Sequence, residues 1–356
     1  MSDAAVQTVL SFYSFPPGMV RRIESLGNAG GWSGSQIWKV ELDSSAAILS
    51  TDGSVGNALR GVPGTASSPA FLCLRRWPRE HPTPERLQFI HGVLQRVFEG
   101  GLSVIPVPLP ARTGESFVEF GANLWELARW MPGIADFHAH PNRVRLRSAM
   151  TMLARFHQLA GEPKTIGRPQ SMHDRSIQVR NFLGGLSDTV LSGLQSGIHQ
   201  RLDAVASRVF NAARPLLPFI QARLQASSPL ETILQPAIRD IWHDHVLFTG
   251  DDVTGVVDFG AMRIDTSLTD IARLVGSLVG DDGDARAFAM DAYAGIRPLN
   301  HRDHELIDLL DESGTVLAGL NWLTWLYVDR RDMGPPEPII RRLDEILRRL
   351  EHLAAR

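Results

Sequence analysis

Two aspartates, Asp240 and Asp258, flank a predicted hairpin in positions that suit catalytic or metal-binding carboxylates. Asp240 comes directly before the apolar run "IWHDHVLF", and Asp258 follows the strand-like "TGVV" and precedes Phe-Gly. The residues between them alternate as a short hairpin turned at Gly250, Asp251 and Asp252, which would present both carboxylates on one side. Phosphoryl transfer uses such a pair: one carboxylate orients the acceptor hydroxyl, and the other offers Mg²⁺ the hard oxygen that it prefers.

Phosphate groups also need a cation and a loop of backbone amides, and the N-terminal part of the chain offers both. Gly30, Gly31, Ser33 and Gly34 form a glycine-rich segment that can bring backbone N–H groups close to phosphate. This segment precedes a predicted strand, "AFLCLRRW", that carries the basic Arg75. Glycine clusters also make plain hairpin turns, so the phosphate role depends on this position before the strand.

The elements that must position these groups divide into a strand-rich part and a helical part. Strands are predicted at "QIWKVEL", "AFLCLRRW" and "SFVEFGANLWELARW", and a helix is predicted over "TPERLQFIHGVLQRVFEGGL", behind Thr83 with Pro84 at its first position. Beyond that point the apolar spacing is mainly helical. We therefore predict an α+β fold with two lobes, residues 1–125 with a loop insertion at 43–69 and residues 126–356, and a hinge near Trp125 to Arg129.

Composition excludes several other classes of protein. The formal charge is −3, from 36 basic and 39 acidic side chains without long runs, so the sequence predicts no nucleic-acid partner and no polybasic membrane patch. No apolar stretch reaches the roughly 18 residues that a bilayer requires, and the N-terminus has no basic signal region, so we expect a cytoplasmic protein. The single cysteine, Cys73, excludes an internal disulfide and a multi-cysteine zinc site.

Taken together, the motifs resemble those of the aminoglycoside phosphotransferase family. These are small-molecule kinases with a protein-kinase-like fold, and the family includes choline and homoserine kinase-like branches. The chain offers "IRDIWHDH", "VVDFG" and "TDIA" where the family has His-Gly-Asp-x-x-x-x-Asn, Asp-Phe-Gly and Asp-Leu-Ala. The resemblance implies that Asp240 is the catalytic aspartate, that Asp258 binds metal and that Asp270 is structural.

The resemblance also implies a nucleotide, a metal and an acceptor. ATP, with Mg²⁺ or Mn²⁺, would be held by the glycine-rich segment, by Arg75 and by the hinge-like "LWELARWMPG", where Glu126 and Ala128 are predicted to bind the cofactor. The implied partner is a small hydroxylated molecule that receives the phosphoryl group. The sequence carries no readable code for the identity of that molecule or for an oligomeric state.

Several positions depart from the family pattern. His245 stands where the second metal-binding residue, usually Asn, is expected, and Ile238 with Arg239 replaces His-Gly before the catalytic aspartate. The helix partner of Arg75, normally Glu, falls at or near His91. Because imidazole is a better ligand for Mn²⁺ than for Mg²⁺, His245 as a metal ligand predicts a preference for Mn²⁺. The other interpretation is that His245 is a hydrogen-bonding residue of the loop.

Two other classes of function are left open by the residues. A pseudokinase-like protein would bind nucleotide or a partner without turnover, and the altered positions favour this class. A metal hydrolase would use the "HDH" spacing, with Asp240, His243, His245 and Asp258 as its ligands. Loss of turnover in an Asp240→Asn variant that still binds nucleotide would distinguish the kinase from the pseudokinase.

Overall fold

The structure, a computed structural model, describes residues 3–28, 34–43, 70–161 and 165–355. The chain forms two compact units, Met1–Ala135 with Val246–Gly260, and Asp136–His245 with Ala261–Arg356. Gly30, Gly31 and Ser33, together with residues 44–69 of the insertion predicted at 43–69, lie outside the described residues. The predicted division into domains 1–125 and 126–356 stays a prediction.

A five-stranded antiparallel sheet, in the order β1-β2-β3-β5-β4, forms the framework of the first unit. Alternate side chains point into one core, where Val40, Leu72 and Leu74 are fully buried and Trp38 stacks on Trp125 with ring centroids 5.4 Å apart. The strands are β1 (Val20–Ser25), β2 (Gln36–Leu42), β3 (Ala70–Arg76), β4 (Val118–Phe120) and β5 (Asn123–Arg129). The helices are α1 (Asp3–Leu10) and α2 (Pro84–Glu99).

Helix α2 confirms its sequence prediction. Thr83 is the N-cap and its side-chain oxygen accepts a hydrogen bond from the backbone N–H of Arg86 at 3.3 Å. Pro84 occupies the first helical position. A backbone N–H at this position has no partner within the helix, so its absence in proline costs no hydrogen bond. The predicted apolar face is buried: Leu87, Ile90, Leu94 and Val97.

The segment near the predicted hinge is a strand, as its pattern also predicted, and its role as a hinge stays a prediction. Trp125 to Arg129 belongs to β5, where Arg75 pairs with Glu126 and Cys73 with Ala128 in the register with β3. The Trp125 and Leu127 side chains are buried in the core of the sheet, and this burial fixes the segment as a strand. The chain leaves the sheet only after Arg129.

The predicted hairpin is confirmed, and it belongs to the first unit. Gly250 adopts φ +62° in its turn, a conformation that glycine takes without steric cost. Ile134 and Phe248 exchange two backbone hydrogen bonds of 3.0 and 2.9 Å, and the Val256 N–H donates to the carbonyl oxygen of Val104 at 2.7 Å. The two strands are β8 (Val246–Thr249) and β9 (Asp252–Val256).

The second unit is mainly helical, but it also contains a three-stranded antiparallel sheet that is absent from the sequence prediction. Strand β7 lies between β10 and β6. Strands this short show too little alternation to separate them from loops. The strands are β6 (Thr165–Gly167), β7 (Thr232–Ala237) and β10 (Arg263–Thr266), and the helices are α3 (Arg143–Ala160), α4 (Gln170–Asn181), α5 (Ser187–Ser196), α6 (Gln200–Ala213), α7 (Leu217–Ser227), α8 (Leu268–Val279), α9 (Gly283–Ala294), α10 (His301–Leu323) and α11 (Pro336–Ala354).

Among the helices of the described residues, none has the length and apolar character that a membrane crossing requires.

Candidate active site

Charged side chains of the first unit gather around Arg75. Its Nη1 lies 3.3 Å from Asp258 Oδ1, its Nε lies 3.7 Å from Glu126 Oε1, and its guanidinium lies over the Trp77 ring, 4.7 Å from the centroid. Burial opposes the charge on Arg75, but the two carboxylates outweigh it and raise the pKa of the guanidinium. Asp258 adopts φ +66°, a left-handed conformation that is uncommon outside glycine but that aspartate tolerates better than most residues. The cation predicted to bind phosphate thus pairs with the aspartate predicted to bind metal.

Glu126 supplies the acidic partner of Arg75 that the family pattern places on a helix. His91 of α2 donates from Nε2 to Glu126 Oε2 at 2.8 Å, and its Nδ1 lies 2.7 Å from the Ser116 hydroxyl. Burial opposes ionisation of Glu126, yet the hydrogen bond from His91 and the charges of His91 and Arg75 lower its pKa. Ala128 is buried in β5 and its backbone bridges to Pro108. Cofactor binding by Glu126 and Ala128 stays a prediction.

Only one residue of the glycine-rich segment is among the described residues. Gly34 adopts φ +77°, and a Cβ built on it would lie 3.7 Å from the Cβ of Pro78. Space is therefore available there, and the positive φ is what favours glycine. The role of the segment in phosphate binding stays a prediction.

In the second unit, β7 leads directly into the loop that carries Asp240. Asp270, near the start of α8, holds the backbone of this loop: the Ile238 N–H donates to Oδ2 at 2.7 Å and the Arg239 N–H donates to Oδ1 at 2.6 Å. Arg239 adopts φ +67°, which is unfavourable for a side chain of its size. Charge-assisted hydrogen bonds are roughly twice as strong as neutral ones, so Asp270 stabilises the strained backbone beside Asp240.

A buried histidine in turn holds Asp270. His157 of α3 donates from Nε2 to Asp270 Oδ2 at 2.9 Å, and its Nδ1 accepts from the Tyr293 hydroxyl at 2.9 Å. Burial lowers the pKa of His157, which keeps its ring neutral and consistent with these two bonds. The position of the Asp240 loop thus depends on α3, α8 and α9 together.

The carboxylate of Asp240 is 49% exposed and is paired with an arginine. Arg273 Nη2 donates to Asp240 Oδ1 at 2.8 Å. Arg273 follows Asp270 by three residues on α8, a spacing that places both side chains on one helix face. The sequence "TDIAR" therefore contained a signal for Arg273. Asp240 and Arg273 both line a cavity of about 900 Å³ that is formed by residues of the second unit.

His245 braces the same loop through both of its ring nitrogens. Its Nδ1 lies 2.8 Å from the Asp240 carbonyl oxygen, and the Trp242 Nε1–H donates to its Nε2 at 2.8 Å. Because a carbonyl oxygen only accepts, Nδ1 carries the proton and the lone pair of Nε2 is used by Trp242. Metal binding by His245, which stays a prediction, therefore requires Trp242 to release Nε2.

His243 lies in an electropositive part of the cavity wall. Burial, with the charges of His138 and Arg342, lowers the pKa of His243 to about 3. Within the described ranges, no three His, Cys, Asp or Glu side chains form a group that could hold a metal ion. The hydrolase alternative therefore has no assembled site in that part of the chain.

Comparisons with known proteins show which family and fold the chain resembles. A family model for a phosphotransferase enzyme family matches residues 59–306. A homoserine kinase from Agrobacterium fabrum is 24% identical over 247 residues, which cover 67% of this chain and 70% of that protein. The structure of a spectinomycin phosphotransferase with ADP and spectinomycin superposes with a TM-score of 0.61 at 10% identity, covering 99% of this chain and 98% of the other.

An amicoumacin kinase, solved with AMP-PNP, Ca²⁺ and its antibiotic, gives a TM-score of 0.59 at 11% identity and covers 99% of this chain and 93% of its own. At such low identity these two structures support the fold alone. They confirm the predicted α+β, protein-kinase-like fold.

Proposed function

The chain belongs to the phosphotransferase enzyme family, and from that premise we propose that it transfers the terminal phosphoryl group of ATP to a hydroxyl group of a small molecule. Membership confirms the resemblance found in the sequence motifs. Its relatives include a protein named homoserine kinase. We therefore propose an acceptor of about the size of an amino acid as the first substrate to test.

One observation carries the proposal: a strained loop presents a single carboxylate to a cavity large enough for a small molecule. Asp270 holds the two amides before Asp240, and His245 holds the carbonyl of Asp240 itself. Such bracing fixes a catalytic side chain within the narrow range of positions that proton transfer requires. The cavity of about 900 Å³ accommodates a small acceptor.

In this mechanism Asp240 accepts a hydrogen bond from the acceptor hydroxyl and orients its oxygen for in-line attack. Arg273 is bound to one oxygen of Asp240, which leaves the other oxygen for the hydroxyl. In the first unit, Arg75 would pair with phosphate oxygens in place of its present carboxylate partners.

Asp258 has the donor chemistry for the predicted metal. Its carboxylate supplies hard oxygen ligands and is 35% exposed, which suits Mg²⁺ or Mn²⁺. When bound, the ion would neutralise charge on the phosphates. Metal binding by His245, which is also predicted, would require the loss of its bond from Trp242.

Calorimetric titration with ATP, separately in Mg²⁺ and Mn²⁺, tests the nucleotide site. We expect metal-dependent binding that Asp258→Asn abolishes and that Asp252→Asn, an exposed change in the same hairpin, leaves intact. Asp240→Asn should keep nucleotide binding and lower kcat by about 10²-fold or more. Absence of ATP binding in both metals would contradict the proposal.

A second candidate, nucleotide binding without turnover, has one observation in its favour. The guanidinium of Arg273 forms an ion pair with the carboxylate of Asp240. In addition, Ile238 and Arg239 replace the residues that normally precede the catalytic aspartate. If ATP binds but no acceptor stimulates ADP formation, and Asp240→Asn changes nothing, this second candidate is the correct one.

A further inference from the structure

Arginine dominates the charged wall of the cavity beside Asp240. Six arginines line this cavity, against five acidic side chains. Arginine forms planar, bidentate contacts with carboxylate and phosphate groups. A wall rich in arginine therefore favours ligands that carry such anionic groups. They are Arg175, Arg239, Arg273, Arg342, Arg348 and Arg349.

The acidic side chains of the wall are all engaged in ion pairs. The pairs are Asp311 with Arg286 at 2.8 Å and with Arg349 at 2.7 Å, Asp281 with Arg349 at 3.4 Å, Asp174 with Arg239 at 3.2 Å, Glu345 with Arg342 at 3.0 Å, and Asp240 with Arg273 at 2.8 Å. A cationic ligand entering this cavity would compete with an arginine for each of these carboxylates. The wall is therefore poorly suited to polycations.

Arg175 of α4 is a half-buried arginine of this wall whose charge has no carboxylate partner among the described residues. Its Nη1 donates to the Leu310 carbonyl oxygen and, at 2.8 Å, to the Ser313 hydroxyl, and both of these acceptors are neutral. Asp265 and Asp311 attract it from a distance, but within the described residues no carboxylate forms an ion pair with it. Burial, and then the charge of Arg273, lower its pKa to about 10, so it is still a cation at neutral pH.

A glycine leaves room for this guanidinium. Gly314 of α10 lines the cavity, and a Cβ built on it would lie 3.2 Å from Arg175 Nη1 and 3.7 Å from Nη2. A contact of 3.2 Å is closer than an ordinary van der Waals contact, so a larger residue at position 314 would require the Arg175 guanidinium to shift by a few tenths of an ångström. The fold thus accommodates a charged group that has no charged partner of its own.

We infer that the acceptor carries an anionic group, a carboxylate or a phosphate, which Arg175 binds while the acceptor hydroxyl faces Asp240. This inference rests on the proposed function and specifies the class of its substrate. An anion between Arg175 and Arg273 would relieve the repulsion between the two guanidinium groups. A charged hydrogen bond of this kind also contributes more than a neutral one.

Matched pairs of hydroxylated compounds test the inference. L-homoserine is compared with L-homoserine amide, and glycerol 3-phosphate with glycerol; each pair keeps the hydroxyl and differs in the anionic group. Binding to the full chain is measured by calorimetry with AMP-PNP and Mg²⁺ present, and ADP formation is measured separately with ATP. The variants are Arg175→Gln and Arg175→Lys, with Arg208→Gln as the control because Arg208 forms an exposed surface pair with Glu351.

We expect the wild-type chain to bind the anionic member of one pair about tenfold more tightly or better, as one charged hydrogen bond allows. The pair that shows the preference identifies carboxylate or phosphate as the recognised group. Arg175→Gln should abolish the preference, Arg175→Lys should keep part of it, and Arg208→Gln should behave as wild type. Unchanged circular dichroism verifies that each variant is folded.

Equal binding of both members of both pairs by wild type would overturn the inference, as would a preference that survives Arg175→Gln. These results do not depend on turnover. If the preference is present and lost in Arg175→Gln, but no compound stimulates ADP formation, the anion site stands and the proposed kinase function fails.

Discussion

The Arg75 site of the first unit and the Asp240 loop of the second unit hold their functional groups in different ways. Arg75 is held by side-chain charges, with Asp258 and Glu126 at 3.3 and 3.7 Å. Asp240 is positioned through its backbone, because Asp270 holds the preceding amides and His245 holds its carbonyl. A ligand can replace a side-chain partner, whereas a backbone support persists when a ligand binds.

This difference matches the two tasks that we propose. A cation that binds phosphate must exchange partners, and an ion pair within one unit allows that exchange. An aspartate that orients a hydroxyl must keep its position, and the buried hydrogen bonds of Asp270 provide the necessary rigidity. Disrupting the two supports should therefore have unequal effects.

The largest effect is expected from Asp270→Asn. The buried carboxylate accepts hydrogen bonds from two amides and from His157, and weakening these charged hydrogen bonds should lower the free energy of unfolding by about 3 to 5 kcal/mol in total. Urea unfolding measures this change. Asp284→Asn, at an exposed position at the start of α9, is the control and should change stability by no more than about 0.5 kcal/mol. Equal effects of the two substitutions would remove the special role of Asp270.

A smaller effect, dependent on pH, is expected from Glu126→Gln. The variant keeps an acceptor for His91 but loses the charge opposite Arg75, so we expect a loss of about 1.5 to 3 kcal/mol at pH 7. Because folding lowers the pKa of Glu126, its contribution is fully present above the unfolded value of about 4.3 and is lost as the pH falls through the folded value.

Urea unfolding of wild type and variant from pH 7 to pH 3 measures this difference, which should shrink below about pH 4. Glu119→Gln, on the exposed face of β4, is the matched control. A difference that stays constant over the whole range would contradict the assignment of the charge to Glu126.

The smallest effect is expected from Trp242→Phe. This change removes the donor to His245 Nε2 and should lower the free energy of unfolding by about 1 kcal/mol. If His245 binds metal in the loaded enzyme, the freed lone pair should also strengthen ATP binding in Mn²⁺ relative to Mg²⁺ by about fivefold. Calorimetry with both metals measures the ratio, and a ratio that His245→Asn leaves unchanged would restrict His245 to its structural role.

The sequence predicted those parts of the molecule that depend on local patterns. Helix α2 followed from Thr83, Pro84 and its apolar spacing, and the β8–β9 hairpin followed from alternation around Gly250. The family motif also indicated Asp240 and Asp258 as site residues, although their roles stay predictions. These features can be predicted because the residues that specify each element lie within the element or next to it in the sequence.

The partners of the site residues could not be predicted in the same way. Glu126 reaches Arg75 only because β3 and β5 are neighbours in one particular register. Arg175 and Leu310 are separated by 135 residues in the chain, and no periodicity connects them. Arg273 is the exception, since its spacing of three residues from Asp270 on α8 places both side chains on one helix face.

The hairpin pairing between Ile134 and Phe248 has a consequence for how this protein can be divided. Neither compact unit is a continuous piece of chain, because residues 246–260 return to the first unit after the chain has entered the second. A cut after residue 135 would leave β8 and β9, with Asp258, on the wrong fragment. If the two halves were co-expressed as separate chains, β8 and β9 would have to return to the first unit from the other chain. We therefore expect that residues 136–260 cannot be cut from the first unit without loss of part of its fold.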